Sequence, residues 1–153
     1  VKTDRRHDRR ALTNDECVAL LQTTAAGSIV FHMPGPDRVM LYLSALETGL
    51  RANELRTLTV GNCRLDEDPP VLIVKAGFSK HRREDIQPIP GELAKVLAEY
   101  IKRREANGPV FRNMPDSDST AEMFHQIMLL LFIYVGTTIS LLSLVSELGI
   151  PPL

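Results

Sequence analysis

Apolar residues recur at helical spacing in three stretches of the chain, and two short runs between them have strand character. Thr13 and Glu16 form the Ser/Thr-x-x-Glu spacing of a capping box ahead of Val18, Leu20 and Leu21, which predicts a helix from about Asn14 to Thr24. Pro34, Gly35 and Pro36 break the pattern, so Gly27 to Pro36 reads as a loop. Asp37 is placed to cap a second helix, along which Val39, Met40, Leu43 and Leu46 recur at helical spacing, with Tyr42 inside it as a core or boundary residue. Thr48-Gly49 interrupts that helix, and a short one carrying Glu54 and Leu55 follows, ending near Leu58.

Thr59 to Asp68 is polar. Pro69-Pro70 then delivers the chain into Val71-Leu72-Ile73-Val74, a β-branched apolar run typical of a strand. Ala76 to Arg83 is polar and basic, and Asp85 to Pro90 returns as a second strand with proline at its end, so the pair predicts a β-hairpin with a basic tip. A further helix starts at Pro90-Gly91-Glu92 and carries Leu93, Val96, Leu97, Tyr100 and Ile101 as its apolar stripe. Lys102, Arg103 and Arg104 fall in its last turn, where cations suit the helix dipole. Asn107-Gly108-Pro109 ends it. Val110-Phe111 is a short apolar segment, Met114 to Ser119 a loop, and Thr120 opens another helix. The expected fold class is α+β, mostly helical, with a small antiparallel hairpin.

With 153 residues, 44% of them apolar and 24% charged, the chain has the composition of an ordinary globular domain with a real core. The formal net charge of −1 gives no global basic field, but the charge is uneven. Lys2, Arg5, Arg6, Arg9 and Arg10 make residues 1–10 a basic arm, and Lys80, Arg82 and Arg83 cluster at the hairpin. Such local patches decide contacts to nucleic-acid phosphates more than net charge does. Cys17 and Cys63 are too few and too far apart for a metal site or a disulfide framework, and read as reduced thiols of a cytoplasmic protein. No secretory signal opens the sequence.

The stretch Thr48-Gly49-Leu50-Arg51-Ala52-Asn53-Glu54-Leu55 carries the most chemistry. Gly49 ends a helix through positive φ at little cost, which puts Arg51 at a helix–helix junction facing a cleft. Glu54, three residues on, shares its face, and a carboxylate there can fix the guanidinium by charge-assisted hydrogen bonds. On spacing alone two readings stay open: a structural Arg–Glu pair at a corner, or an arginine held for a phosphate.

That string resembles the first arginine box of the tyrosine recombinases, the phage-integrase family. The resemblance implies that Arg51 contacts a scissile phosphate and that Glu54 supports the site. Ser79-Lys80-His81-Arg82-Arg83, followed by Ile86 and Pro88-Ile89-Pro90, resembles the family's hairpin, in which a lysine begins the turn, reaches the DNA minor groove and protonates the leaving 5′ oxygen. Lys80 is the residue matched to that role; Lys75, placed inside the first strand, ranks behind it. Arg82 and Arg83 are assigned to DNA phosphates. The implied fold is the integrase catalytic domain. The implied activity is site-specific recombination, with one DNA strand cut by a tyrosine, held as a 3′-phosphotyrosine and rejoined to a new 5′ hydroxyl, using no metal and no nucleotide cofactor. Double-stranded DNA is the implied partner, with assembly as a homo-oligomer upon it.

Beyond about Phe124 the expected pattern stops. The family's second arginine, in a His/Lys-x-x-Arg helix, and its nucleophilic tyrosine are not found: no Arg or Lys follows Arg112. His7-Asp8-Arg9-Arg10 spells His-x-x-Arg but lies upstream of Arg51, in a polar arm, and is read as coincidence. Tyr134 lies between Ile133 and Val135 with no base nearby, and is read as a packing residue. The division expected is a basic arm at 1–10, a partial recombinase catalytic domain at 11–125, and an apolar tail at 126–153. The uncharged run 127–145, as a helix roughly 28 Å long, leaves three readings: a membrane anchor, a buried helix, or the product of a disrupted reading frame. Two further functions compete with a truncated recombinase: a non-catalytic DNA-binding remnant, and a membrane-anchored protein with an integrase-like soluble part.

Overall fold

The computed structural model describes residues 12–78, 83–116 and 118–123. The basic arm, Lys80, Arg82, Tyr134 and the apolar tail lie outside the described residues. Among the described residues, helices and strands follow in the order α1 (Asn14–Ala26), α2 (Gly35–Thr48), α3 (Ala52–Thr57), β1 (Cys63–Arg64), β2 (Val71–Val74), β3 (Asp85–Pro88) and α4 (Gly91–Ile101), with a 3₁₀ turn at Val60–Asn62 and a helical segment at 118–123. This is the mostly helical α+β arrangement expected.

α1 starts on the reciprocal cap its sequence encodes: the Glu16 backbone N–H donates to Thr13 Oγ1 (3.3 Å), and the Thr13 N–H donates to Glu16 Oε2 (2.8 Å). α2 is capped differently from expectation. Pro34 is its N-cap, and Asp37 lies in the first turn, where Asp37 Oδ1 accepts from Tyr100 Oη of α4 at 2.8 Å. Asp37 therefore serves a tertiary contact rather than the helix end. α2 is also buried on more faces than one stripe provides. Val39, Met40, Leu41 and Tyr42 are all buried in succession, whereas Leu46, expected in the stripe, is 43% exposed.

The sheet has the order β1-β2-β3, all antiparallel, with Val71 opposite Pro88 and Val74 opposite Asp85. The predicted hairpin is β2–β3. β1 adds a third strand from a stretch read as polar loop, pairing Cys63 with Leu72 and Arg64 with Val71. β2 is the buried middle strand, and β3 is an exposed edge ending in proline, which limits further strand pairing. One core joins these parts. Leu20, Met40, Leu41, Leu55, Leu72, Leu93, Leu97 and Phe111 belong to it, and Met123 closes it from the segment at 118–123.

Two close fits set the geometry around α2. Gly35 packs its backbone onto the end of α1; a Cβ there would stand 2.6 Å from the Thr24 carbonyl oxygen. Behind it, Arg38 is 1% exposed and donates from Nη2 to the Ser28 carbonyl at 2.6 Å. Its guanidinium lies beside Gly27, against the carbonyl end of α1, where a cation is favoured. Between α1 and α2, Val30 and Met33 exchange both backbone hydrogen bonds (3.1 and 2.9 Å) across Phe31 and His32, which adopt φ of 47° and 63°. Positive φ at both central positions is the geometry of a two-residue hairpin turn that usually takes Asn-Gly, so this turn is held by its surroundings.

A second clasp joins the exit of α3 to the exit of α4. Val110 N–H donates to Leu58 O (2.9 Å), Val60 N–H to Gly108 O (3.0 Å) and Gly61 N–H to Ala106 O (2.7 Å). Arg104 stacks over the Tyr100 ring at 4.1 Å and donates to Val110 O at 2.6 Å, completing the same seam. Among the described residues no helix is long and apolar enough to cross a membrane; the run 127–145 is not among them.

Candidate functional site

The junction of α2 and α3 is built so that residue 51 has a fixed backbone and a free-standing side chain. Gly49 ends α2 in the left-handed conformation, φ 67°, ψ 10°, with its N–H on Ala45 O at 2.9 Å. Thr48 steadies the turn from inside: its hydroxyl donates to Ser44 O at 2.6 Å and accepts from Leu50 N–H at 3.2 Å. Leu50 packs against the core, and Leu55 is buried within it, so the chain on either side of Arg51 is anchored by apolar contacts.

Arg51 is the N-cap of α3, in an extended conformation. Its carbonyl accepts the Leu55 N–H at 2.9 Å, and its own N–H donates to Glu54 Oε2 at 2.8 Å. Glu54 and Arg51 thus do interact, but not as their spacing implied. The carboxylate holds the arginine's backbone rather than its guanidinium, as an N3 glutamate does when it reaches back to the cap. The reason is geometric: a residue at the N-cap is not yet in the helix, so its side chain does not lie on the face that Glu54 shares. The Arg51 side chain is exposed, and among the described residues no hydrogen bond or ion pair engages its guanidinium.

The arginine that is held by a fork lies five residues further on. Arg56 donates from Nε to Pro115 O (2.8 Å), from Nη2 to Thr120 Oγ1 (3.0 Å) and from Nη1 to Asn53 Oδ1 (3.2 Å). Sequence reasoning passed over this residue. Its only local signal is Asn53 three positions earlier; its other partners are 59 and 64 residues away.

At the hairpin, Arg83 is exposed just ahead of β3, and Lys80 and Arg82 lie outside the described residues. Lys75 corrects a boundary: it is the first residue past β2, not part of it, and its carbonyl accepts the Phe78 N–H at 2.9 Å to begin the turn. It is exposed there. Phe78 and Ile86 add exposed apolar surface to this end of the hairpin.

The two cysteines have no part in this geometry. Both are free, and burial pushes the Cys63 thiol up to about 12, which makes it inert. Among the described residues no group of three His, Cys, Asp or Glu stands close enough to hold a metal ion.

Comparison with known proteins agrees with the resemblance seen in Thr48–Leu55 and the hairpin. No curated protein and no solved structure matches the chain. A family model described as Phage integrase family matches residues 10–138, which is most of the chain and takes in the α2–α3 corner, the sheet and α4. Integrase-family proteins act on DNA in site-specific recombination, and on that match this chain belongs to the phage integrase family.

Proposed function

We propose that the chain binds double-stranded DNA through the α2–α3 corner and the β2–β3 hairpin, and that Arg51, Glu54 and Lys80 are its contribution to phosphoryl transfer. The observation that carries this reading is the Arg51 corner itself: an exposed guanidinium on a backbone fixed from both sides, in a member of a DNA-recombining family. Transfer of a phosphoryl group from one oxygen to another builds negative charge on its equatorial oxygens. A rigidly based guanidinium stabilises that charge without reorganising. Glu54 acts through the backbone it holds, so its role is to place Arg51. Lys80 is assigned to the leaving 5′ oxygen, as proton donor, and Arg82 and Arg83 to the flanking phosphates.

Residues 113–153 contain no second arginine, and Tyr134 has no cationic neighbour in sequence. In this reading the 153 residues bind DNA but do not by themselves form a 3′-phosphotyrosine bond. Assembly on DNA as a homo-oligomer, and action in the cytoplasm, belong to the same proposal.

Titrating a fluorescent 30-base-pair duplex at several salt concentrations tests the binding. Affinity should fall steeply as salt rises, and Arg51→Ala should reduce the slope of log affinity against log salt by about one. Binding insensitive to salt, or unaffected by Arg51→Ala, overturns the assignment. Incubation with nicked duplex followed by denaturing electrophoresis tests the chemistry. No covalent adduct is expected, and an adduct sensitive to Tyr134→Phe would refute the incomplete-site reading.

A further inference from the structure

Arg56 has none of the freedom of Arg51. One edge of its guanidinium, Nε and Nη2, faces Pro115 O and Thr120 Oγ1, and the remaining Nη1 turns back to Asn53 Oδ1 in its own helix. The acceptors come from two separate regions of the chain. Asn53 lies in α3 between Arg51 and Glu54; Pro115 and Thr120 flank the start of the helical segment at 118–123. That start is itself ordered locally. Asp116 Oδ1 accepts the Ser119 N–H at 2.9 Å, and Asp116 O accepts both the Thr120 N–H (2.8 Å) and the Thr120 hydroxyl (2.6 Å). The Thr120 oxygen is therefore oriented to receive the Arg56 proton.

We infer that Arg56 is a positioning residue, which fixes the start of the 118–123 segment against the helix that carries the Arg51 corner. Among the described residues of the segment, Met123 is the one fully buried in the core. The three-way fork holds the start of the segment at a second point, separate from Met123. α3 gains equally. At 6 residues it is too short to hold its shape from local hydrogen bonds alone. Arg56 ties its free face to the body of the domain, and Leu55 ties the buried one. Only a planar fork does this: an ammonium group is a point donor and cannot reach three acceptors spread around a guanidinium plane.

The inference rests on the reading of Arg51 as a phosphate contact only for its effect on DNA; the tethering stands on its own. The test is amide hydrogen exchange on the full chain, wild type against Arg56→Lys, Arg56→Gln and Thr120→Val, with duplex titration on the same samples. All three variants should exchange the amides of 119–123 at least ten-fold faster, with the amides of α2 and β2 unchanged. Both Arg56 variants should weaken DNA binding three- to ten-fold while leaving the salt slope as in wild type, because Arg56 meets no phosphate. An unchanged exchange rate at 119–123 overturns the inference. So does an Arg56→Lys protein that behaves as wild type, or a loss of protection spread equally over α2 and β2. Thr120→Val also removes the hydroxyl's own bonds to Asp116 O and Pro115 O. Should the Arg56 variants not fold, Asn53→Ala, which takes away one arm of the fork and leaves those bonds intact, decides: faster exchange at 119–123 is expected, and an unchanged rate overturns the inference. A wild-type chain that binds no DNA would sink the functional proposal, and the exchange data would still decide the role of Arg56.

Discussion

The two junctions that flank α2 use the same materials and reach opposite results. At its start a glycine, an arginine and a tight turn close up: Gly35 touches the α1 backbone, Arg38 is buried beneath it, and the Phe31–His32 turn is forced into positive φ. At its end a glycine, an arginine and a tight turn open out: a Cβ on Gly49 would meet nothing within 4 Å, and Arg51 stands in solvent. The difference lies in what meets the guanidinium. Arg38 lies just past the carbonyl end of α1 and donates to Ser28 O, and burial pulls its pKa below the usual arginine range. Arg51 has its backbone satisfied by Glu54 and its side chain left over. A buried arginine whose partner among the described residues is a backbone carbonyl is an architectural residue. An exposed one on a fixed backbone is available for a ligand.

That contrast is open to attack by substitution. The largest effect is expected at the closed junction. Gly35→Ala drives a methyl group into two backbone carbonyl oxygens of α1, at 2.6 and 2.7 Å, and neither can move without shifting a helix. A loss of about 3 kcal/mol is expected in denaturant unfolding; a loss near zero would mean that the helices do not approach as described. Arg38→Ala comes next, at about 2 kcal/mol, because it removes a buried alkyl stem and leaves a cavity. Gly49→Ala should cost about 1 kcal/mol, from positive φ alone, since the added methyl meets no atom. Arg51→Ala is the smallest on this scale, within about 0.5 kcal/mol, although it is the change expected to weaken DNA binding most. If Arg51→Ala destabilised the fold as much as Arg38→Ala, the distinction between the two corners would fail.

Features written in neighbouring residues were legible in the sequence. The Thr13/Glu16 cap, the Gly49 break and the apolar stripe through Leu93, Leu97 and Ile101 depend on spacings of four residues or fewer, and the β2–β3 hairpin shows as a β-branched apolar run and a returning proline-ended run around a polar turn. The Arg51 corner was located for the same reason. What the sequence hid leaves no pattern in its own residues. β1 is two residues of a polar stretch without the apolar run that marks a strand, and exists because Leu72 and Val71 pair with it. Asp37 looked like a cap and instead accepts from Tyr100, 63 residues away. Arg38 gave no sign of burial, because the carbonyl that receives it, Ser28 O, belongs to the loop after α1, ten residues earlier in the chain. Glu54 was paired with the correct residue and the wrong atom, since an N-cap position turns the side chain away from the helix face. Arg56 illustrates the same limit: a charged residue in a short helix is ordinary until its acceptors are known.

The seam between Leu58–Gly61 and Ala106–Val110 bears on how this domain tolerates change. It closes the sheet and α4 into a loop whose two ends are stitched together by backbone hydrogen bonds. Within that loop the stretch joining β2 to β3 is tied to nothing beyond its own strands among the described residues. Lengthening a connection of this kind costs little, because closure entropy grows only with the logarithm of length. The clasp thus holds the two strands in register independently of the length of chain that joins them, and a panel of chimaeras with connections of different length and charge would separate what that stretch recognises from what the scaffold holds.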